Sequence, residues 1–319
     1  MTAYIIRRLL LGIIVLIMVS LAIFFLMRML PGDPLMLYLS GTQNIDTIDP
    51  VKLAQLRAQF YLDKPLFQQY LIWIGNFFKG DFGTSIYYHE NVAVLMLERY
   101  PVTIILGAIG FVFSFSIGLV FGILAAIRRG TWIDSGVTIL AYLFQAVPQF
   151  WLGILIILLF SLYLGWLPSG GYTPPSVDFG EFLRKMIMPV ICYAVGGMAA
   201  TARQMRSAVI EVVRQDYVRT AWSKGLQERT VISRHVLKNS LIPVITMAGM
   251  FVPMIFGGSV FIEQVFAIPG MGRLLVSSIQ GHDYVVVQSI TLIIAAVVVL
   301  VNTIVEISYV FFDPRIRYT

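Results

Sequence analysis

Charge is scarce in this chain. Of its 319 residues only 13% are Asp, Glu, Lys or Arg, against 58% hydrophobic, where a soluble domain would carry about 25% charged residues. Much of its surface must therefore face something other than water. Cysteine is nearly absent. Cys192 is the only one, so no internal disulfide can form, and its apolar setting suits a small buried hydrophobe. The three histidines, His89, His235 and His282, lie far apart, and no Cys/His cluster has metal-ligand spacing, so no metal site is expected. No Gly-Lys dipeptide occurs. That excludes a P-loop, which needs Gly-Lys before Ser or Thr to hold phosphates. Neither a catalytic constellation nor a cofactor motif is present. If this protein does work on a solute, the energy must come from a partner.

What the sequence has instead is long apolar runs, each near the 20 residues or so that a bilayer core requires of a helix. Backbone groups in lipid must pair within the segment, which leaves helices or a closed barrel. Barrel strands alternate apolar and polar residues, whereas these runs are apolar on every face. An all-α membrane protein with six spans is expected, at about 5–30, 102–127, 134–164, 187–208, 241–262 and 286–311. The first run follows Arg7 and Arg8 but is too long for a cleaved signal core and lacks an Ala-x-Ala site, so it reads as a retained signal-anchor. Pro148 should kink the third span, and Pro243 and Pro253 lie in the fifth.

Basic residues set the orientation. With a cytoplasmic N-terminus, the inside segments hold 14 Lys and Arg, eight of them in the loop 203–240, while the two short outside loops hold only Arg184, Lys185 and Arg273. The net charge of +6 is thus a topology signal, and nucleic-acid binding is not implied. The resulting division is a first span 1–30, an extracytoplasmic segment 31–101, a five-helix core 102–312 and a cytoplasmic tail 313–319. The outside segment is rich in aromatics (Tyr61, Phe67, Tyr70, Trp73, Phe77), which favours a small folded subdomain over a disordered loop. An ion-coupled carrier would more often place ionisable groups deep in its helices. The candidates are Glu263 and Glu306, both near expected span ends, where snorkelling to the interface is the simpler account. Gln145, Gln149 and Asn302 read as helix–helix hydrogen-bonding groups or as weak pocket signals.

The inside loop 203–240 is helix-favouring, with Gly225 near its middle. Eight basic residues alone would suit a solvated face. Among them, however, Tyr217, Val218, Ala221, Trp222 and Leu226 recur at helical spacing. Gly225 permits a turn after them. Such a helix could form a knob for a partner's groove.

The run Asp216-Tyr217-Val218-Arg219-Thr220-Ala221-Trp222-Ser223-Lys224-Gly225-Leu226, with Arg234 to Pro243 after it, resembles the cytoplasmic loop of ABC importer permeases. Arg219-Thr220-Ala221 stands where the general pattern has Glu-Ala-Ala, the form typical of the peptide/nickel permeases. Further matches span nearly the whole chain: Pro31-Gly32-Asp33-Pro34, Leu62 to Leu66, Gly80-Asp81-Phe82-Gly83, Val147 to Trp151, Ile268 to Leu274 with Asp283-Tyr284, and Asp313 to Arg317. The resemblance is to the B-type permease of dipeptide, oligopeptide, glutathione or nickel importers. It implies a type I importer permease in a prokaryotic cytoplasmic membrane, lying among lipid. The implied partners are a C-type permease (as a heterodimer), two ABC ATPases that bind the ATP, and an extracytoplasmic substrate-binding protein. The resemblance also implies an ATPase-coupling role for Tyr217, Arg219, Thr220, Ala221, Trp222, Lys224, Gly225 and Leu226. A secondary carrier or a membrane scaffold are the alternatives from other classes.

Overall fold

A computed structural model describes residues 2–29, 57–58, 61–257 and 260–312. The Pro31-Gly32-Asp33-Pro34 turn and the tail 313–319 lie outside the described residues. The helices are α1 (Thr2–Met29), α2 (Leu66–Phe78), α3 (Val92–Ile127), α4 (Trp132–Ala146), α5 (Gln149–Tyr163), α6 (Phe179–Val213), α7 (Asp216–Ser223), α8 (Glu228–Gly257), α9 (Val260–Val265), α10 (Met271–Gln280) and α11 (Tyr284–Phe312). The described residues contain no strand, only an isolated bridge between Thr84 and Asn91. Five helices (α1, α3, α6, α8, α11) are long and apolar enough to cross a membrane, and the bent pair α4–α5 is the sixth candidate.

Two compact units divide the chain: Met1–Val102 with Pro269–Thr303, and Thr103–Ile268 with Ile304–Arg317. In the first, α2 leans on α1. The Ser20 and Tyr70 hydroxyls lie 2.9 Å apart, and the Phe24 ring packs 5.5 Å from Tyr70 and 5.9 Å from Trp73. Between Tyr70 and Phe82 the aromatic side chains pack on one another, with the Phe77 and Phe82 rings 5.1 Å apart, while Tyr61 and Phe67 are exposed. Val92, Leu95 and Met96 of α3 bury against Met271 and Leu274 of α10 and Val286 and Ile290 of α11. Asp283 ties the loop before α3 to α11. Its carboxylate caps α11 by accepting from Val286 N, and it also accepts from Ser85 Oγ at 2.5 Å and Tyr87 N at 3.1 Å. It is fully buried, so all of these bonds are needed to offset its desolvation.

The helices outrun the spans read from hydropathy. α3 begins at Val92, ten residues before the expected 102, and carries Pro101 inside it. α6 begins at Phe179 with Pro189 inside and an Asp178 cap that accepts from Glu181 N. At 36 and 35 residues, each would be over about 50 Å long, well beyond the roughly 30 Å core of a bilayer. Hydropathy registers only the lipid-length part. The turns beyond it are amphipathic and held by packing.

Two expectations change. The third span is not one kinked helix: α4 and α5 meet at 101° across Val147-Pro148, and α5 ends in a π-helical stretch, Ile157–Tyr163. Pro148 has no N–H to give the α4 ladder, and Val147 takes an extended backbone (φ −82°, ψ 124°), as the residue before a proline tends to. Glu263, expected to snorkel, is fully buried in α9 and accepts a 2.8 Å bond from Thr103 Oγ1. Glu306 in α11 is half-buried.

Candidate coupling surface and membrane cavity

The stretch 203–240 does not form one loop. α6 continues through its first third to Val213, α8 begins at Glu228, and only α7 stands free between them. A helix of eight residues is marginal alone, so tertiary packing must hold it. Val218 (0% exposed) and Ala221 (5%) insert among Met205, Ala208 and Val209 of α6, Val231, Val236 and Val244 of α8, and Ala126 of α3. Asp216 in the first turn suits the helix dipole. Gly225 stops the helix at φ +75°, its N–H bonded to Trp222 O at 2.9 Å, a left-handed position that glycine takes without strain. A Cβ there would meet nothing within 4 Å.

Burial divides the expected coupling residues into two faces. Val218 and Ala221, read as part of an outward knob, are buried in the chain's own core. Tyr217, Arg219, Thr220, Trp222, Lys224, Gly225 and Leu226 are exposed. The Tyr217 hydroxyl accepts from Asn239 Nδ2 at 2.9 Å, which links α7 to α8. Arg219 reaches Asp216 only at 3.9 Å with its side chain 71% exposed, and such a pair contributes little. Three large apolar side chains thus stay partly in solvent (Tyr217, Trp222 and Leu226, each 40–44% exposed) with the weakly paired Arg219 guanidinium beside them. Periodicity reveals that α7 is two-faced, but which face turns inward depends on α6 and α8.

Two arrangements carried no clear sequence signal. The first is a clamp beside α7. Arg206 of α6 donates twice to Asp134 of α4, at 2.6 and 2.9 Å, and Gly130 N donates to the same carboxylate at 3.0 Å. Asp134 is only 6% exposed. Asp134→Ala should lower stability by about 2 kcal/mol, measured as the unfolding midpoint of the detergent-solubilised protein. That is below the usual loss for a broken buried pair because Arg206 keeps 31% of its side-chain exposure and can rehydrate.

The second is a seam of small residues. Gly118 and Gly122, four apart on α3, let that helix approach α6: a Cβ on Gly122 would lie 2.5 Å from Ala202 O, and one on Gly118 would lie 2.8 Å from Met198 O. The Gly-x-x-x-Gly spacing, which brings membrane helices together, was the available signal.

Between α3, α5, α6, α8 and α9 lies a cavity of about 480 Å³, lined by Phe111, Ser114, Gln149, Tyr193, Gly197 and Phe251 among others. No charged side chain lines it among the described residues. Gln149, the first residue after the α4–α5 break, faces α6, where a Cβ on Gly196 would sit 3.2 Å from its Nε2. A Cβ on Gly197 would meet Ser114 Oγ, so the serine would have to turn away to admit one. Gln145 and Asn302 are exposed and do not line the cavity.

Two family models match. The inner membrane component of binding-protein-dependent transport systems matches residues 118–318, and the N-terminal region of such membrane components matches 1–107. The chain belongs to this permease family. Full-length relatives include a putative peptide transport system permease protein of Brucella abortus, 41% identical over 318 residues and covering all of both chains. The oligopeptide transport system permease protein AppB of Bacillus subtilis is 39% identical, again over all of both chains. The di/tripeptide transport system permease protein DppB of Pseudomonas aeruginosa is 38% identical over all of this chain and 99% of its own. Among solved structures, a chain of the methionine ABC transporter MetNI in inward-facing conformations matches at a TM-score of 0.55, covering 69% of this permease and 96% of that chain. At 18% identity that likeness concerns the fold, which is that of an ABC importer permease. The protein is a multi-pass membrane transport subunit rather than an enzyme.

Proposed function

We propose that this permease forms half of the membrane pathway of an ATP-driven peptide importer. The observation that carries the reading is the division of α7. One face is locked into the ends of α3, α6 and α8, and the other offers aromatic and cationic groups to a partner. A lever needs both. A contact that moved α7 would move the core beneath it, because Val218 and Ala221 are packed too tightly for the helix to slip. Differential contact with two states of a partner is what biases a two-state membrane domain.

The partners in this reading are a C-type permease in a heterodimer, two cytoplasmic ABC ATPases that bind all the ATP, and an extracytoplasmic binding protein. This chain holds no cofactor of its own. The membrane is the cytoplasmic membrane of a prokaryote, with both termini inside. Short peptides as cargo are supported by the relatives named above and by the uncharged, amide- and aromatic-lined cavity, which would not favour one side-chain charge. Uptake of a radiolabelled tripeptide by cells carrying the whole system should stop when the ATPase subunits are inactivated and should survive a proton uncoupler while ATP is maintained. The reverse pattern would point to an ion-coupled carrier.

Orientation has its own test. Ser176 and Ser223 are both exposed and lie in an outside loop and in α7 respectively. In a Cys192→Ser background, an impermeant maleimide applied to intact cells should label Ser176→Cys. Ser223→Cys should be labelled only after permeabilisation. Labelling of both from outside would overturn the topology.

A further inference from the structure

The first unit contains a cavity that the transport mechanism above does not use. It measures about 500 Å³ and is bordered by the end of α1, by α2, by the loop after α2 and by the start of α11. Its size falls in the range typical of small-molecule sites. Its walls are mixed. Phe24, Trp73 and Phe82 supply ring faces, and Arg28 and Asp81 supply one charge of each sign. Arg28 lies over the Phe24 ring, 5.3 Å from its centre.

Two glutamines make this more than a gap in packing. Gln69 of α2 is 7% exposed and Gln288 of α11 is 5% exposed, and both line the cavity. Gln69 donates to Lys64 O at 2.8 Å, but its Oε1 has no partner, and neither has Gln288 Nε2. Leaving a buried amide atom unpaired costs about 1–3 kcal/mol. Two such atoms of opposite sense, one acceptor and one donor, border the same space. Both are walled off in this conformation. The terminal torsion of a glutamine is broad and soft, so rotation about it would turn Gln288 Nε2 inward, and Gln69 Oε1 likewise in exchange for the bond to Lys64 O.

We propose that this cavity is a second binding site for short peptides, carried by the permease itself on its extracytoplasmic side. The proposal rests on the peptide-importer reading. A peptide unit offers an N–H to Gln69 Oε1 and a C=O to Gln288 Nε2, the complement of what is unpaired. Its ammonium terminus offers a charge to the Asp81 carboxylate. The aromatic walls accept side chains without fixing their identity. The glutamines' unpaired atoms then have a purpose, since they are satisfied when cargo is present.

The site separates function from stability in an unusual way. Gln288→Met keeps the side-chain length and removes the unpaired donor, so the fold should be as stable or more so, while peptide binding weakens about tenfold, as loss of one hydrogen bond implies. The test uses the complete transporter in nanodiscs without its binding protein, irradiated with a tritiated tripeptide carrying benzoylphenylalanine at its centre. Adducts should map to residues 61–89 and 284–290 in the parental complex and fall about tenfold in Gln288→Met, with an unfolding midpoint that does not drop. Absence of adducts in those segments, or equal yield in the variant, would overturn the site. A lowered midpoint would also overturn it, by showing that the amide serves the fold. ATP-driven tripeptide uptake by the parental system with its binding protein keeps the two readings apart. Uptake without adducts would remove this site alone, whereas no tripeptide uptake would remove the peptide reading and the site together.

Discussion

Complexes carrying Val218→Asp should lose substrate uptake by at least a hundredfold while still inserting in the membrane. Val218 is fully buried beneath α7, among apolar side chains of α3, α6 and α8. No cation faces it within that cluster, so the new carboxylate must either be buried unpaired or pull the helix off its seat. Burying it would cost several kcal/mol, more than an eight-residue helix can supply. The helix should therefore detach, and motion of an ATPase would no longer reach the core. The expected signature is partner ATP hydrolysis that persists, no longer stimulated by loaded binding protein, with no uptake. Val218→Ile, similar in shape and apolar, should transport near the parental rate. Trp222→Ala provides the contrast. Trp222 is on the outward face, so its loss should leave the unfolding midpoint unchanged yet weaken ATPase assembly, by roughly 30-fold if it is a central anchor of the interface. Parental uptake by Val218→Asp would mean that α7 is a solvated basic helix with no mechanical role. Ala221, buried in the same cluster, should behave like Val218 and not like Trp222.

Gly122→Leu should abolish the folded core altogether. A Cβ at this position would come within 2.5 Å of Ala202 O and 2.6 Å of Met205 Cβ. The first obstacle is helix backbone, which cannot rotate away as a side-chain tip could, so α3 and α6 would have to part along their length. Those two helices support α7 and border the cavity, so their separation would remove both at once. Overpacking of this kind typically costs about 1–3 kcal/mol and more where backbone is the obstacle. The expected result is loss of the monodisperse peak in detergent size-exclusion chromatography and a fall of at least tenfold in the amount of protein recovered from membranes. Gly136→Leu, on α4 where an added Cβ meets nothing within 4 Å, should leave both unchanged. If Gly122→Leu purifies like the parent, the close approach of α3 to α6 is not required for folding.

The class of this protein was legible because its evidence is compositional and local. Lipid admits no unpaired backbone, so an apolar run of sufficient length can only be a helix, and six such runs were found where the structure has five long helices and a bent pair. The order of short motifs from Val147 to Trp151 and from Asp216 to Leu226 was equally readable, since family patterns live in sequence. Pro148 announced a kink, but the full break of 101° depends on what α5 packs against after the turn.

Other features were invisible for a single reason: each depends on which residues are brought together from distant parts of the chain. Glu263 looked like an interfacial acid because hydropathy places it at a span end, while in the fold it is buried and bonded to a threonine 160 positions earlier. Asp134 gains its role only when Arg206 arrives, and Asp283 only when Ser85 does. The clearest case is α7. Its helical period, its acidic start and its glycine stop are written in eleven consecutive residues. That Val218 and Ala221 turn inward and Trp222 outward was decided by the α6 and α8 surfaces on which they rest. A period of 3.6 specifies that a helix has two faces, and the free energy of burying one of them, set by neighbours far away in sequence, selects which.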